Sequence, residues 1–107
     1  MEWGSEVERE RKKRIMISLY AYAYEIENDS LIDDGTYDKL SREINPSIKT
    51  GHKLDRFFEE TFEPDTGMWI RYHPDIEGLK LLYDAVKSGK WVWYTLKKIS
   101  KPLDNSR

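Results

Sequence analysis

Between Ile15 and Ile26 the chain carries apolar side chains on two opposite faces of one helix. Ile15, Leu19, Tyr22, Ala23 and Ile26 follow the spacing of a single helical face, and Ile17, Tyr20, Ala21 and Tyr24 line the face opposite. An ordinary surface helix turns a polar side to water. A helix apolar on both sides needs cover on both, which restricts the fold to layers packed around it. Two readings of the second face stand. It is the buried side of a central helix, or Tyr20 and Tyr24, one turn apart, form an aromatic wall with a flat apolar face and a polar tip for a ligand or partner.

The flanks define where this helix begins and ends. Ser5 with Glu8 fits a capping box, and the pattern predicts one helix over residues 1–28. Its early part, Glu6 to Arg14, is almost wholly charged. The run Arg9 to Arg14 reads as a solvated helix surface, with a nucleic-acid patch as the alternative, because the acids beside it cancel much of its field. Asn28, Asp29 and Ser30 favour a turn over a helix. Asp33 or Asp34 then caps a second helix, which runs to about Ile44 and is stopped by Asn45-Pro46. Its apolar face is Tyr37, Leu40 and Ile44. Two helices joined by so short a turn make an antiparallel hairpin over residues 5–45. The carboxylates at its mouth, Asp34 and Asp38, suit a helix N-terminus on electrostatic grounds alone. Together with Tyr24 and Tyr37 they also suit a ligand.

The hairpin carries the pattern Y-x-Y-x-Y-x-x-x-N-x-x-x-x-x-D-x-x-Y-D-x-L-x-R-E-I from Tyr20 through Ile44. This resembles the N-terminal Ia domain of NAD-dependent DNA ligases, whose helical hairpin closes over the nicotinamide mononucleotide half of NAD. The family's ligand-contacting tyrosine falls on Tyr24, its turn aspartate on Asp34, and its Tyr-Asp pair on Tyr37 and Asp38. The resemblance implies that Tyr24 and Tyr37 pack on nicotinamide while Asp34 and Asp38 contact ribose hydroxyls or the ring amide. Three positions depart from the family: Glu25 stands where it carries His or Tyr, and Asn28 and Ser30 replace its turn Asp and Pro. The K-x-D-G motif of the adenylated lysine occurs nowhere in the 107 residues, so adenylyl transfer to a lysine amine is not expected. By genomic analogy, small stand-alone proteins with this hairpin point to phage or prophage origin and to host takeover or counter-defence.

Beyond the hairpin the signals are shorter. A helix is expected over about 53–62, with Leu54, Phe57, Phe58, Thr61 and Phe62 as an apolar stripe that can cover the second face of the first helix. Pro64 to Gly67 is a turn signal. Met68 to Tyr72 fits either a helix or a short strand. Asp75 caps a helix over 75–88 with Ile76, Leu79, Leu82, Tyr83 and Val86 on one face and Gly89 just past its end. The aromatic segment 90–100 is read as a helix, with a strand paired to 68–72 as the alternative. Its Trp91, Trp93 and Tyr94 are core or a docking patch, and beside Lys90, Lys97, Lys98 and Lys101 they could also stack on bases. The tail 102–107 is expected to fray.

Composition removes several classes of function. The formal charge is −2, from 18 basic and 20 acidic residues, and predicts no strong attraction to nucleic acid or an anionic membrane. There is no cysteine for disulfide or thiol chemistry. No apolar run has the length of a membrane span and the N-terminus is too charged for a signal peptide, so a cytoplasmic location is expected. His52 and His73 stand apart in separate linkers, without the spacing of a zinc site.

The expectation is therefore a single all-α domain over 1–107, of four to five helices around the hairpin. The leading functional reading is a non-enzymatic interaction protein that meets a protein partner through Tyr20, Trp91, Trp93 and Tyr94, needing no cofactor. The alternative is a binder of NAD or nicotinamide mononucleotide through Tyr24, Asp34, Tyr37 and Asp38. Nucleic-acid binding is a weaker third.

Overall fold

The computed structural model describes residues 5–89. They form four α-helices and one 3-10 helix, so the fold is all-α: α1 Glu6–Glu25, α2 Asp34–Glu43, α3 Asp55–Glu60, the 3-10 helix Met68–Tyr72, and α4 Ile76–Lys87. Trp91, Trp93, Tyr94, the helix or strand expected at 91–99 and the tail 102–107 lie outside the described residues.

Three helices begin where a side chain caps them. Ser5 accepts from the Glu8 amide at 3.1 Å, Asp33 from the Thr36 amide at 2.9 Å, and Asp75 from the Gly78 amide at 3.1 Å. Each bond satisfies an amide that has no partner inside its helix. Helix α1 ends earlier than residue 28. Asn28 takes a left-handed φ of 58°, and the Asp29 amide turns back to the Ala23 oxygen at 2.9 Å. The turn is then tied to α4: Asp29 accepts from the Tyr83 hydroxyl at 2.7 Å and pairs with Lys87 at 2.9 Å. These two contacts hold the Asp29 carboxyl below its usual range.

Helix α1 is central, packed against α2, α4 and the 3-10 helix. Ile17, Leu19, Ala21, Tyr22 and Ala23 are all buried. The second face is covered chiefly by the 3-10 helix and α3. Phe58, Trp69 and Ile70 join Ile17 and Ala21 in one cluster, and Phe62 meets Trp69 edge-on at 4.9 Å. Each large apolar side chain so buried contributes about 1.5–3 kcal/mol. Tyr24 and Ile26 escape this cover and remain exposed.

The segment Met68–Tyr72 is not a strand. Trp69 and Ile70 are adjacent and both buried in the one core cluster, whereas a strand would send neighbouring side chains to opposite faces. A tight helical turn allows it, and Pro74 bars its continuation.

The solvated reading of Arg9 to Arg14 needs correction at its end. Glu10 and Arg14 are both buried. The Arg14 guanidinium donates to Glu10 at 2.8 Å, to Asp55 at 3.0 Å, and to the carbonyls of Asn45 and Ile48 at 3.0 Å each. Asp55 also accepts from the Thr50 hydroxyl and from the amides of Thr50 and Gly51. The linker after α2 is held on α1 chiefly by this side chain, and the Asn45 amide adds a bond to Glu10 at 2.9 Å. Arg11 adds a bond to the Thr50 carbonyl at 2.7 Å.

Candidate functional site

At the mouth of the hairpin the two helices and their turn line a cleft of about 330 Å³. That falls at the lower end of the range of about 300–1,000 Å³ typical of small-molecule sites. Tyr20 and Tyr24 come from α1, Leu31 and Ile32 from the turn, and Asp34, Tyr37 and Asp38 from α2. All four residues singled out by the hairpin pattern, Tyr24, Asp34, Tyr37 and Asp38, line this one cleft. Tyr20, expected at a partner surface, is a half-buried part of the same wall.

The floor was not legible in the sequence. It is the turn Asp65-Thr66-Gly67, which reaches the cleft from beyond α3. The turn packs directly on α1: a methyl group placed on Gly67 would lie 3.4 Å from the Glu25 side chain and 3.5 Å from Ala21, ordinary contact distances. The turn is pinned from two sides. The Tyr37 hydroxyl and the Trp69 indole both donate to the Thr66 oxygen at 2.8 Å. On the α2 side, the Asp65 amide donates to the Ser41 hydroxyl at 3.0 Å. Proline and glycine at 64 and 67 signalled a turn, but nothing local signalled where it would dock.

The electrostatics are one-sided. Glu25 is countered by Arg71 at 3.3 Å and Asp65 by Arg42 at 3.1 Å. Among the described residues no hydrogen bond or ion pair engages the carboxylates of Asp34 and Asp38. Burial pushes the Tyr37 hydroxyl up to about 12, so it stays protonated and serves as a fixed donor to Thr66. Burial also raises Tyr20. The cleft thus offers half-exposed aromatic faces and two carboxylates able to accept hydrogen bonds. Among the described residues of its lining, none is a nucleophile paired with a base.

A second cleft, of about 270 Å³, lies between α1, α3 and α4, with Leu54, Phe58 and Leu79 among its apolar lining. Its charged groups Arg14 and Asp55 are already bound to each other. His73 borders it, buried, with its ring edge-on to Phe57 at 5.2 Å and Nδ1 accepting from the Asp75 amide at 3.0 Å. His52 is exposed and its Nδ1 accepts from the Leu54 amide. Among the described residues no group of three or more His, Asp or Glu side chains could hold a metal ion, and no helix is long and apolar enough to cross a membrane.

No protein-family model, curated protein or solved structure matches this chain.

Proposed function

We propose that the protein binds a nicotinamide-type nucleotide, NAD or nicotinamide mononucleotide, in the cleft at the mouth of the hairpin. The observation that carries this reading is the convergence of Tyr24, Asp34, Tyr37 and Asp38 on one cavity. Two of these are aromatic and two are carboxylates without a partner among the described residues. A carboxylate that serves only as a helix cap would be bonded to an amide, as Asp33 is. Asp34, next to it, is not the cap and adds nothing to the packing. Aromatic faces fit a pyridinium ring, which is flat and cationic, and the carboxylates fit ribose hydroxyls. Binding without chemistry is the reading, since the residues that converge there supply no catalytic pair.

Thermal unfolding with NAD and with nicotinamide mononucleotide tests it. A ligand at a hundred times its dissociation constant should add about 2.7 kcal/mol to stability. Tyr24→Ala and Asp34→Ala should abolish that gain while the unliganded protein melts as before, because both side chains are exposed. No shift at millimolar ligand would overturn the reading.

A second reading rests on a different observation. Tyr24, Met68 and Tyr72 are 58%, 59% and 75% exposed, and exposed aromatic and methionine side chains are what protein interfaces concentrate. On this reading the chain is an interaction module for a protein partner, in a phage or prophage setting of host takeover or counter-defence. Pull-down of one partner by the wild type, lost in Tyr72→Ala, would favour it. Unchanged capture would count against it.

A further inference from the structure

We infer that the cleft between α1, α3 and α4 is a second binding site, which takes a small carboxylic acid with an apolar body: the body rests against the apolar lining and the carboxylate meets Arg11. This site does not rest on the nicotinamide-nucleotide reading. Among the described residues, the two clefts share no part of their lining.

Three observations carry it. The first is size and lining. The cleft has a volume of about 270 Å³, and Ile15, Leu54, Phe58, Leu79 and Leu82 make it largely apolar. An apolar cavity of about 150 Å³ takes up a benzene molecule, so this space suits one ring or a branched aliphatic body. The second is charge. The charged side chains of the lining are Arg11, Arg14, Asp55 and Asp75. Arg14 and Asp55 pair with each other at 3.0 Å. Asp75 caps α4 through the Gly78 amide at 3.1 Å, where the positive end of the helix dipole offsets its charge. Arg11 is the exception. A guanidinium has five N–H donors. Among the described residues Arg11 bonds only to the neutral Thr50 carbonyl, at 2.7 Å, its buried Nε has no acceptor, and no carboxylate pairs with it.

The third is the direction of the unmet hydrogen bonds. His52 and His73 both line the cleft, and each Nδ1 accepts a main-chain amide at 3.0 Å, from Leu54 and from Asp75. A neutral imidazole that accepts at Nδ1 carries its proton on Nε2, so both rings are donors at their other nitrogen. The hydroxyls of Ser18 and Thr50 already give their protons to the Arg14 carbonyl and to Asp55. What the cleft lacks is therefore an acceptor. A carboxylate is the acceptor that matches the fork of a guanidinium. An amine would face Arg11 with like charge, and a hydrocarbon would leave every donor unmet.

The test is an amide NMR titration of the full chain with phenylacetate, with phenylacetamide as its neutral isostere, and with acetate. Phenylacetate should give saturable shifts centred on Thr50, Leu79 and Leu82, and should bind about tenfold more tightly than phenylacetamide. Acetate, which has the charge without the ring, should give no saturable shift at the same concentration. Arg11→Gln keeps a donor for the Thr50 carbonyl and removes the charge. It should erase the preference for the acid and leave the amide's affinity unchanged. Retained helical signal and melting temperature would show that the variant folds, and if it does not, the comparison of acid with amide on the wild type decides. No saturable shift at millimolar phenylacetate, or shifts centred on Tyr24 and Asp34 instead, would overturn the site. Equal affinity for acid and amide, acetate binding as tight as phenylacetate, or a preference for the acid that survives in Arg11→Gln would overturn it as well.

Discussion

The Tyr37 hydroxyl donates to the main-chain oxygen of Thr66 at 2.8 Å, joining α2 to a turn that lies beyond α3 in sequence. The same oxygen also accepts from the Trp69 indole, so it keeps one partner if the other is lost. Tyr37→Phe should therefore cost only about 1 kcal/mol and leave ligand affinity unchanged, since the aromatic wall stays. Tyr37→Ala removes the wall as well and should cost about 2–3 kcal/mol and abolish binding. Urea unfolding and ligand titration of both variants check this. Equal damage from the two would mean that the hydrogen bond, not the ring, maintains the cleft.

Arg14 provides the largest expected single-residue effect. Arg14→Met would leave Glu10 buried and Asp55 largely so, with their shared cation gone, and should destabilise by about 3–5 kcal/mol. Arg14→Lys should recover little of this. A lysine keeps the charge but cannot reach Glu10, Asp55 and two carbonyls at once with the planar fork of a guanidinium. Chemical denaturation of the two variants is the measurement. A loss under about 1 kcal/mol in Arg14→Met would mean the network behaves as a surface ion pair.

Acid should weaken the fold in two separate windows. Burial holds the His73 imidazole below its ordinary value of 6.5, with the nearby Asp75 opposing that shift. A neutral His73 thus contributes stability that is full above 6.5 and is lost as pH falls through the folded-state value. For Asp55, burial opposes ionisation, but the bonds from Thr50 and Gly51 and the charge of Arg14 outweigh it and hold the carboxyl below 3.8. Its contribution is present above 3.8 and is lost at lower pH. His73→Asn supplies an amide oxygen near the Nδ1 position without titrating. Urea midpoints measured across pH should lose their upper step in His73→Asn and keep the lower one. Persistence of the upper step would assign it to another group.

Two glycines in first turns of helices should respond differently to alanine. A Cβ on Gly35 would meet nothing within 4 Å, so Gly35→Ala should stabilise α2 by roughly 0.5 kcal/mol through helix propensity. A Cβ on Gly78 would lie 2.4 Å from the Asp75 carboxylate that caps α4. Gly78→Ala gains the same propensity but displaces the cap, worth about 1 kcal/mol, and should be neutral to slightly destabilising. Melting temperatures of the two variants decide it, and a clear gain in Gly78→Ala would mean the cap contributes little.

What the sequence determined by itself was local. Helices α1, α2 and α4 could be read because their apolar periods and their caps sit within one or two turns of chain. Ser5 with Glu8, Asp33 with Thr36 and Asp75 with Gly78 are each bonded across three residues. The four side chains of the cleft could be named from the hairpin pattern, which places them on consecutive helices beside the turn that joins them. The tertiary structure alone decided the rest. Whether Arg14 is solvated or buried depends on partners 31, 34 and 41 positions away. Met68–Tyr72 became a 3-10 helix because Trp69 and Ile70 both had to reach the core beside Ile17. The floor of the cleft exists because Tyr37 and Ser41, 29 and 24 positions earlier in the chain, bond a distant turn. Local backbone preference and capping act over a few residues and leave a mark in spacing. Burial of a charge and the docking of a turn are set by surfaces that meet only after the chain has folded, so the pattern of neighbouring residues does not record them.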